Sequence, residues 1–280
     1  MGKQAEHFGL HLVTSAATGG AVIAVTNPLD CLKQRWQAAP LRHVASGAGK
    51  ETILSFAMAV CHAEGLMRGF WLPGLVTNSL GCCCSVGTRL GLYPHLRSSW
   101  TLALGGVDGE KNSKAMFLAG LSGGALGYTV ASPLFYASRV AQASAGPPAS
   151  PDLGIRTLRM LHSQSGILGL WLGAPVLVAR GAIMSATQLT TYDASKTAAL
   201  GSGVLTDGPL LHALASFAAS LTLTTAICPL DVLLTRYQAG RTLGRNYSGV
   251  AECVVELLRE EGPTGFMRGW TPLWLRFLPS

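Results

Sequence analysis

A two-part sequence pattern occurs three times in register, and it constrains the fold more than any other feature. The first part reads Asn27-Pro-Leu-Asp-Cys-Leu-Lys-Gln-Arg-Trp-Gln37, then Ser132-Pro-Leu-Phe-Tyr-Ala-Ser-Arg-Val-Ala-Gln142, then Cys228-Pro-Leu-Asp-Val-Leu-Leu-Thr-Arg-Tyr-Gln238. Each copy has Pro-Leu and a Gln nine residues after the Pro, and Pro28, Pro133 and Pro229 lie 105 and 96 residues apart. The second part reads Glu64-Gly-Leu-Met-Arg-Gly-Phe-Trp71, Ser165-Gly-Ile-Leu-Gly-Leu-Trp171 and Glu261-Gly-Pro-Thr-Gly-Phe-Met-Arg-Gly-Trp270. Its first Gly follows the Pro by 37, 33 and 33 residues. A fixed period of this kind is the signature of a repeat architecture, here with repeats at 1–105, 106–205 and 206–280.

Each repeat has an apolar stretch running into its Pro motif, at about 9–37, 114–142 and 209–238. A second follows the Gly/Trp marker, at 73–97, 173–200 and from Thr271 onward. The complete stretches are long enough for a bilayer core, which takes about 20 helical residues. Between them lie polar amphipathic sections, 50–64, 153–165 and 250–261, that read as helices on the membrane surface. Composition agrees: 49% of residues are apolar and 12% charged, and a mean hydropathy of only +0.35 suits helices with lipid on one side and water on the other. The 34 glycines, with pairs such as Gly120/Gly124 and Gly123/Gly127, allow close helix packing.

The net charge of +7 is spread over single Lys and Arg residues. That excludes a nucleic-acid patch and fits loops beside anionic lipid, with cationic groups lining an anion path. The seven cysteines include no CxxC pair, and Cys82–Cys84 point about 100° apart on a helix, which suits packing rather than metal ligation. No spaced nucleophile, base or metal set marks an enzyme, and no cofactor motif is present. The polar N-terminus, 1–8, has neither signal-peptide nor transit-peptide character, so targeting is expected to reside in the body of the chain.

A proline inside a helix removes a hydrogen bond and bends it. Bent helices at Pro28, Pro133 and Pro229 are therefore expected to converge and close a cavity, with the charged residues after each Pro facing one another across a threefold axis. A charge inside a membrane helix marks a functional candidate; Arg89, Arg180 and Arg276 are such charges. Two of them suit the two carboxylates of a short dicarboxylate, because guanidinium binds carboxylate bidentately.

These motifs resemble those of the mitochondrial carrier family, in which Pro-x-acid-x-x-base-x-base precedes Glu-Gly and an aromatic-x-Gly element three times over. Phe135, the run Gly87-Thr-Arg-Leu-Gly-Leu-Tyr93 and the run Asp231-Val-Leu-Leu-Thr-Arg-Tyr237 are similar to the oxaloacetate-carrier branch. Arg180 with Gln188-Leu-Thr-Thr-Tyr-Asp193 fits that branch and equally the dicarboxylate and uncoupling-protein branches. The resemblance implies an all-α membrane protein with six spans and three surface helices, pseudo-threefold symmetry, alternating access and a place in the mitochondrial inner membrane. It implies transport of a small organic anion such as a dicarboxylate or keto acid, a monomer, and lipid contacts, cardiolipin among them, at the Gly/Trp markers.

It also implies roles for individual residues. The matrix-side gate would comprise Asp30, Lys33 and Asp231, braced by Gln37, Gln142 and Gln238. By the family's ring order Lys33–Asp231 is the one ion pair that can form, while Asp30 faces Ser138 and Phe135 faces Leu234. The cytoplasmic gate would use Asp193, Lys196 and Arg97, with Pro94 where an acid is usual. Arg180 and Arg276 match substrate-contact positions; Gly181 adjoins the first, Gly81 sits at the same level, and Arg89 lies about 12 Å nearer the cytoplasmic end as an access or gating residue. From Thr271 to Ser280 only about 15 Å of helix is available, so the sixth span is expected to be truncated and transport impaired. A carrier-fold protein without transport, and a soluble helical-repeat protein, are the competing readings.

Overall fold

A computed structural model describes residues 2–43, 52–106, 113–144, 153–184, 187, 191, 208–245 and 247–277. The described elements are helical, with no strand among them. The helices are α1 (Gly2–His43), α2 (Ile53–Glu64), α3 (Leu75–Ala103), α4 (Ser113–Ala143) and α5 (Leu153–Gly169), then α6 (Ala174–Met184), α7 (Pro209–Gly240), α8 (Val250–Glu261) and α9 (Trp270–Phe277). The amphipathic sections become α2, the body of α5, and α8. The three motif prolines lie inside α1, α4 and α7, which run on as helix through them. By length and hydropathy two described helices qualify as membrane spans, Lys114–Ala143 and Ala213–Leu243, with α5 and α6 a further pair bent by 88°. Among the described residues α6 and α9 are too short to qualify as spans by themselves.

The Gly/Trp markers are bracketed by glycines at positive φ, where a side chain would be strained. Gly65 (φ 79) and Gly74 (φ 65) bracket the first, Gly166 (φ 66) and Gly173 (φ 80) the second, Gly262 (φ 69) and Gly269 (φ 83) the third. The first bracket is nine residues long and the others seven. The third is spanned by a tight 3-10 turn, Pro263–Met267. The first holds a π turn, Met67–Trp71, closed by the Leu72 amide donating to Met67 O at 2.9 Å. A π turn is a helix that has absorbed an extra residue, so a local insertion widens the connection and leaves the flanking helices in place.

The chain divides into two compact units that cut across the repeats. The first comprises Met1–Val25, Gly74–Ala141 and Pro151–Ala182. Here α4 packs on α3 through glycines: a Cβ at Gly127 would stand 2.7 Å from Ser85 O, and one at Gly123 would stand 3.4 Å from Leu96 Cδ1. Among the described residues nothing lies within 4 Å of a Cβ at Gly120 or Gly124, so of the two small-residue pairs only Gly123/Gly127 forms an interface there. Gly127→Ala should therefore cost about 1–3 kcal/mol by forcing two backbones apart, while Gly124→Ala should be neutral or slightly stabilising; thermal unfolding in detergent checks both. Cys82 and Cys83 lie against Gly19 and Gly20 of α1, whereas Cys84 is exposed. Tyr136, Ala137, Val140, Leu161 and Leu170 form the apolar core between α4 and α5.

The second unit comprises Thr26–Pro73, Gln142–Ser150 and Ile183–Ser280. Leu223, Ile227, Cys228 and Val232 of α7 pack with Leu257 of α8 and Leu273 of α9. Trp274 stacks on Trp270 at 5.8 Å and meets Phe217 edge-on at 5.7 Å. Arg245, ahead of α8, bridges Glu256 and Glu260 of that helix, and hydrogen bonds from the Ser248 hydroxyl and amide hold Glu252 below the usual carboxylate range. Burial pushes the Cys253 thiol up to about 12, so it is inert.

Candidate gate and anion site

The residues after Pro28 form successive turns of α1, and in the second unit they meet α7 and α9. Lys33 Nζ donates to Asp231 Oδ2 at 2.8 Å, with both side chains almost fully buried. This is the one pair that the ring order allowed. One turn on, Gln37 donates to Arg268 O at 3.0 Å, and the Thr235 hydroxyl lies 2.8 Å from Gln37 Oε1 and 2.6 Å from Gln34 Oε1. A hydroxyl has one proton, and Asp231 O, also 2.8 Å away, competes with the two glutamines for it. Gly269 lies against this group: a Cβ there would stand 3.1 Å from Gln37 Nε2. Arg268 donates to Trp36 O at 2.8 Å and covers the Trp36 ring at 4.3 Å. Gln142 donates to Asn27 Oδ1 at 2.9 Å, and Asn27 donates to Trp71 O at 2.6 Å, so the bracing reaches the end of the first marker. Gln238 is buried.

A second set of pairs did not emerge from the sequence. Arg35 is buried and stands 2.9 Å from Glu64 Oε2. Arg236 pairs with Glu261 and donates through Nε to Gln37 O at 3.1 Å. Each ties the base seven residues after a motif Pro to the Glu that opens the marker of its own repeat. The middle repeat has Val140 and Ser165 at these positions. Base and acid are lost together, and that joint loss was the signal available in the sequence.

The Ser138 hydroxyl donates to Gly74 O at 3.2 Å, and Arg276 Nη1 stands 2.8 Å from Asp30 Oδ1. Arg276, expected at a substrate-contact position, is paired with an acid. The acid comes from the first repeat, which inspection of the third repeat's own sequence does not reveal. Phe135 packs beside Tyr128, with ring centroids 6.2 Å apart.

The remaining candidates lie in the first unit or outside the described residues. Arg180, on α6, is 6% exposed. Its neighbour Gly181 touches the Tyr128 ring so closely that a Cβ would stand 2.3 Å from it. Gly81 lies against Phe135, where a Cβ would be 3.1 Å from the ring. Both glycines are points of close helix contact. Arg89 is exposed on α3, with its stem beside Gly123. The Arg97 carbonyl accepts from Thr101 at 2.8 Å. Asp193 and Lys196 lie outside the described residues.

The family pattern for mitochondrial carrier proteins matches residues 4–102, 109–202 and 206–280. The chain is 32% identical over 292 residues to Mitochondrial uncoupling protein 4 of Arabidopsis thaliana, covering 93% of this chain and 91% of that protein. It is 30% identical over 258 residues to Dicarboxylate carrier UCP2 of Danio rerio, covering 90% of this chain and 81% of that protein. The three matched segments, the helices among the described residues and the relatives agree: the chain is a protein of the mitochondrial inner membrane and belongs to the mitochondrial carrier family, a family of transporters.

Proposed function

We propose that this carrier moves a small organic anion, a dicarboxylate or keto acid such as oxaloacetate, by alternating access. The observation that carries the reading is the buried Arg180 guanidinium in the apolar second stretch of the middle repeat. A charge buried in a membrane span marks a functional candidate, and a guanidinium selects carboxylate through paired charge-assisted hydrogen bonds. Lys33–Asp231 supports a gate on one side: it is buried, inter-helical and braced by Gln37. The name of the Danio rerio relative supports the dicarboxylate class. Exposed Ile167 and Leu168 beside the second marker suit lipid contact, cardiolipin included, for a protein acting as a monomer.

Ligand-dependent thermal stability tests the class directly. A ligand that binds only the folded protein stabilises it by about 2.7 kcal/mol at a hundred times its Kd. Malate, malonate and oxaloacetate should raise the unfolding temperature, while sugars and monovalent cations should not. A shift with purine nucleotides alone would favour the uncoupling-type reading that the name of the Arabidopsis thaliana relative brings in. No shift with any of these anions would count against the assignment.

A further inference from the structure

We propose that Arg276 is a gate residue, the counter-cation of Asp30, and that it replaces the base which Ser138 does not supply. The argument starts from Asp30. Its side chain is 4% exposed, and neither carboxylate oxygen accepts a hydrogen bond among the described residues. A buried carboxylate in that condition depends on a cation. Lys33, one turn away, is held by Asp231 at 2.8 Å. Arg35 is held by Glu64 at 2.9 Å. Position 138 is a serine and carries no charge. Arg276 on α9, 2.8 Å from Asp30 Oδ1, is the charge that neutralises it.

The two pairs share a design. Asp30 and Lys33 are one turn apart on α1, one acid and one base, and each reaches a different helix of the third repeat: Lys33 to α7, Asp30 to α9. In the state of this structure α1 is clamped to both. Opening this side requires both pairs to separate, so Arg276 acts on the rate of conformational exchange and not on recognition of the anion. Arg180 is left to recognise the anion; in that respect the inference rests on the transport reading above.

The test is a double-mutant comparison of Arg276→Gln, Asp30→Asn and the double variant, each read by unfolding temperature in detergent and by KM and Vmax in liposomes. Arg276→Gln strands the buried Asp30 carboxylate and Asp30→Asn strands the half-buried Arg276 guanidinium, so each should lower the unfolding temperature, the first by more, and each should cut Vmax by about tenfold or more. The double variant removes both charges and should regain most of both quantities. KM should stay within about twofold of the unaltered protein throughout, because the ligand contact is untouched. A double variant as impaired as Arg276→Gln, with KM raised in both, would overturn the inference and make Arg276 a ligand of the anion. If the unaltered protein transports no anion, the transport reading fails separately. The unfolding temperatures then decide the pair: single losses that cancel in the double support it, and losses that add refute it. Where neutralised variants do not fold, Arg276→Lys and Asp30→Glu keep both charges; a change in Vmax alone supports the gate, and a change in KM alone refutes it.

Discussion

Lys33→Met should destabilise the protein by about 3–5 kcal/mol, because it leaves Asp231 as a buried charge without its partner. The ammonium and carboxylate are 2.8 Å apart and both are within 2% of full burial, so no solvent replaces the lost partner. Asp231→Leu should cost a similar amount by stranding Lys33. The double variant should recover most of the loss, since a buried ion pair roughly breaks even against apolar residues of similar volume. Thermal unfolding of the four proteins in one detergent measures the coupling. Single variants as stable as the unaltered protein, or a double variant that loses the sum of both, would show that the pair does not clamp α1 to α7.

Arg180→Ala should abolish anion uptake while leaving the fold intact. A charge-assisted contact is worth about 1.5–3 kcal/mol, and every 1.4 kcal/mol is tenfold in rate, so the loss should be about tenfold to a hundredfold or more. Arg180→Lys keeps the charge but not the planar fork, and should retain part of the activity. Exposed Arg89 on α3 provides the contrast: Arg89→Ala should slow uptake without changing which anion is preferred. Initial rates with a panel of labelled anions separate the two cases, and an Arg180→Ala protein with unchanged uptake would remove the anion assignment.

The carrier fold was legible because two markers recur in register, and each marker has a local physical reason: a proline within an apolar helix, and glycines that turn the chain at positive φ. Lys33–Asp231 was legible because both residues occupy fixed offsets from a motif Pro. Asp30–Arg276 was not, since the cation lies on α9, outside any Pro motif, and only folding brings it to α1. Periodicity also could not choose between Gly120/Gly124 and Gly123/Gly127. The pairs sit on adjacent faces of the same helix, and the position of α3 decides which face needs glycine. The π turn after Gly65 was written in the length of the first marker, two residues longer between its bracketing glycines than the others. Gly81 and Gly181 were read by level along the helix, which is silent on the aromatic rings that fill the space beside them.

Uptake of labelled dicarboxylate into liposomes tests the central claim most directly. Liposomes with the unaltered protein, preloaded with unlabelled malate, should take up labelled malate or oxaloacetate saturably. Excess unlabelled dicarboxylate should inhibit that uptake, glucose and potassium should not, and folded Arg180→Ala protein should bring uptake to the level of empty liposomes. A protein that unfolds cooperatively on heating, yet gives no anion uptake above empty liposomes, would contradict the claim and leave a carrier fold without anion transport.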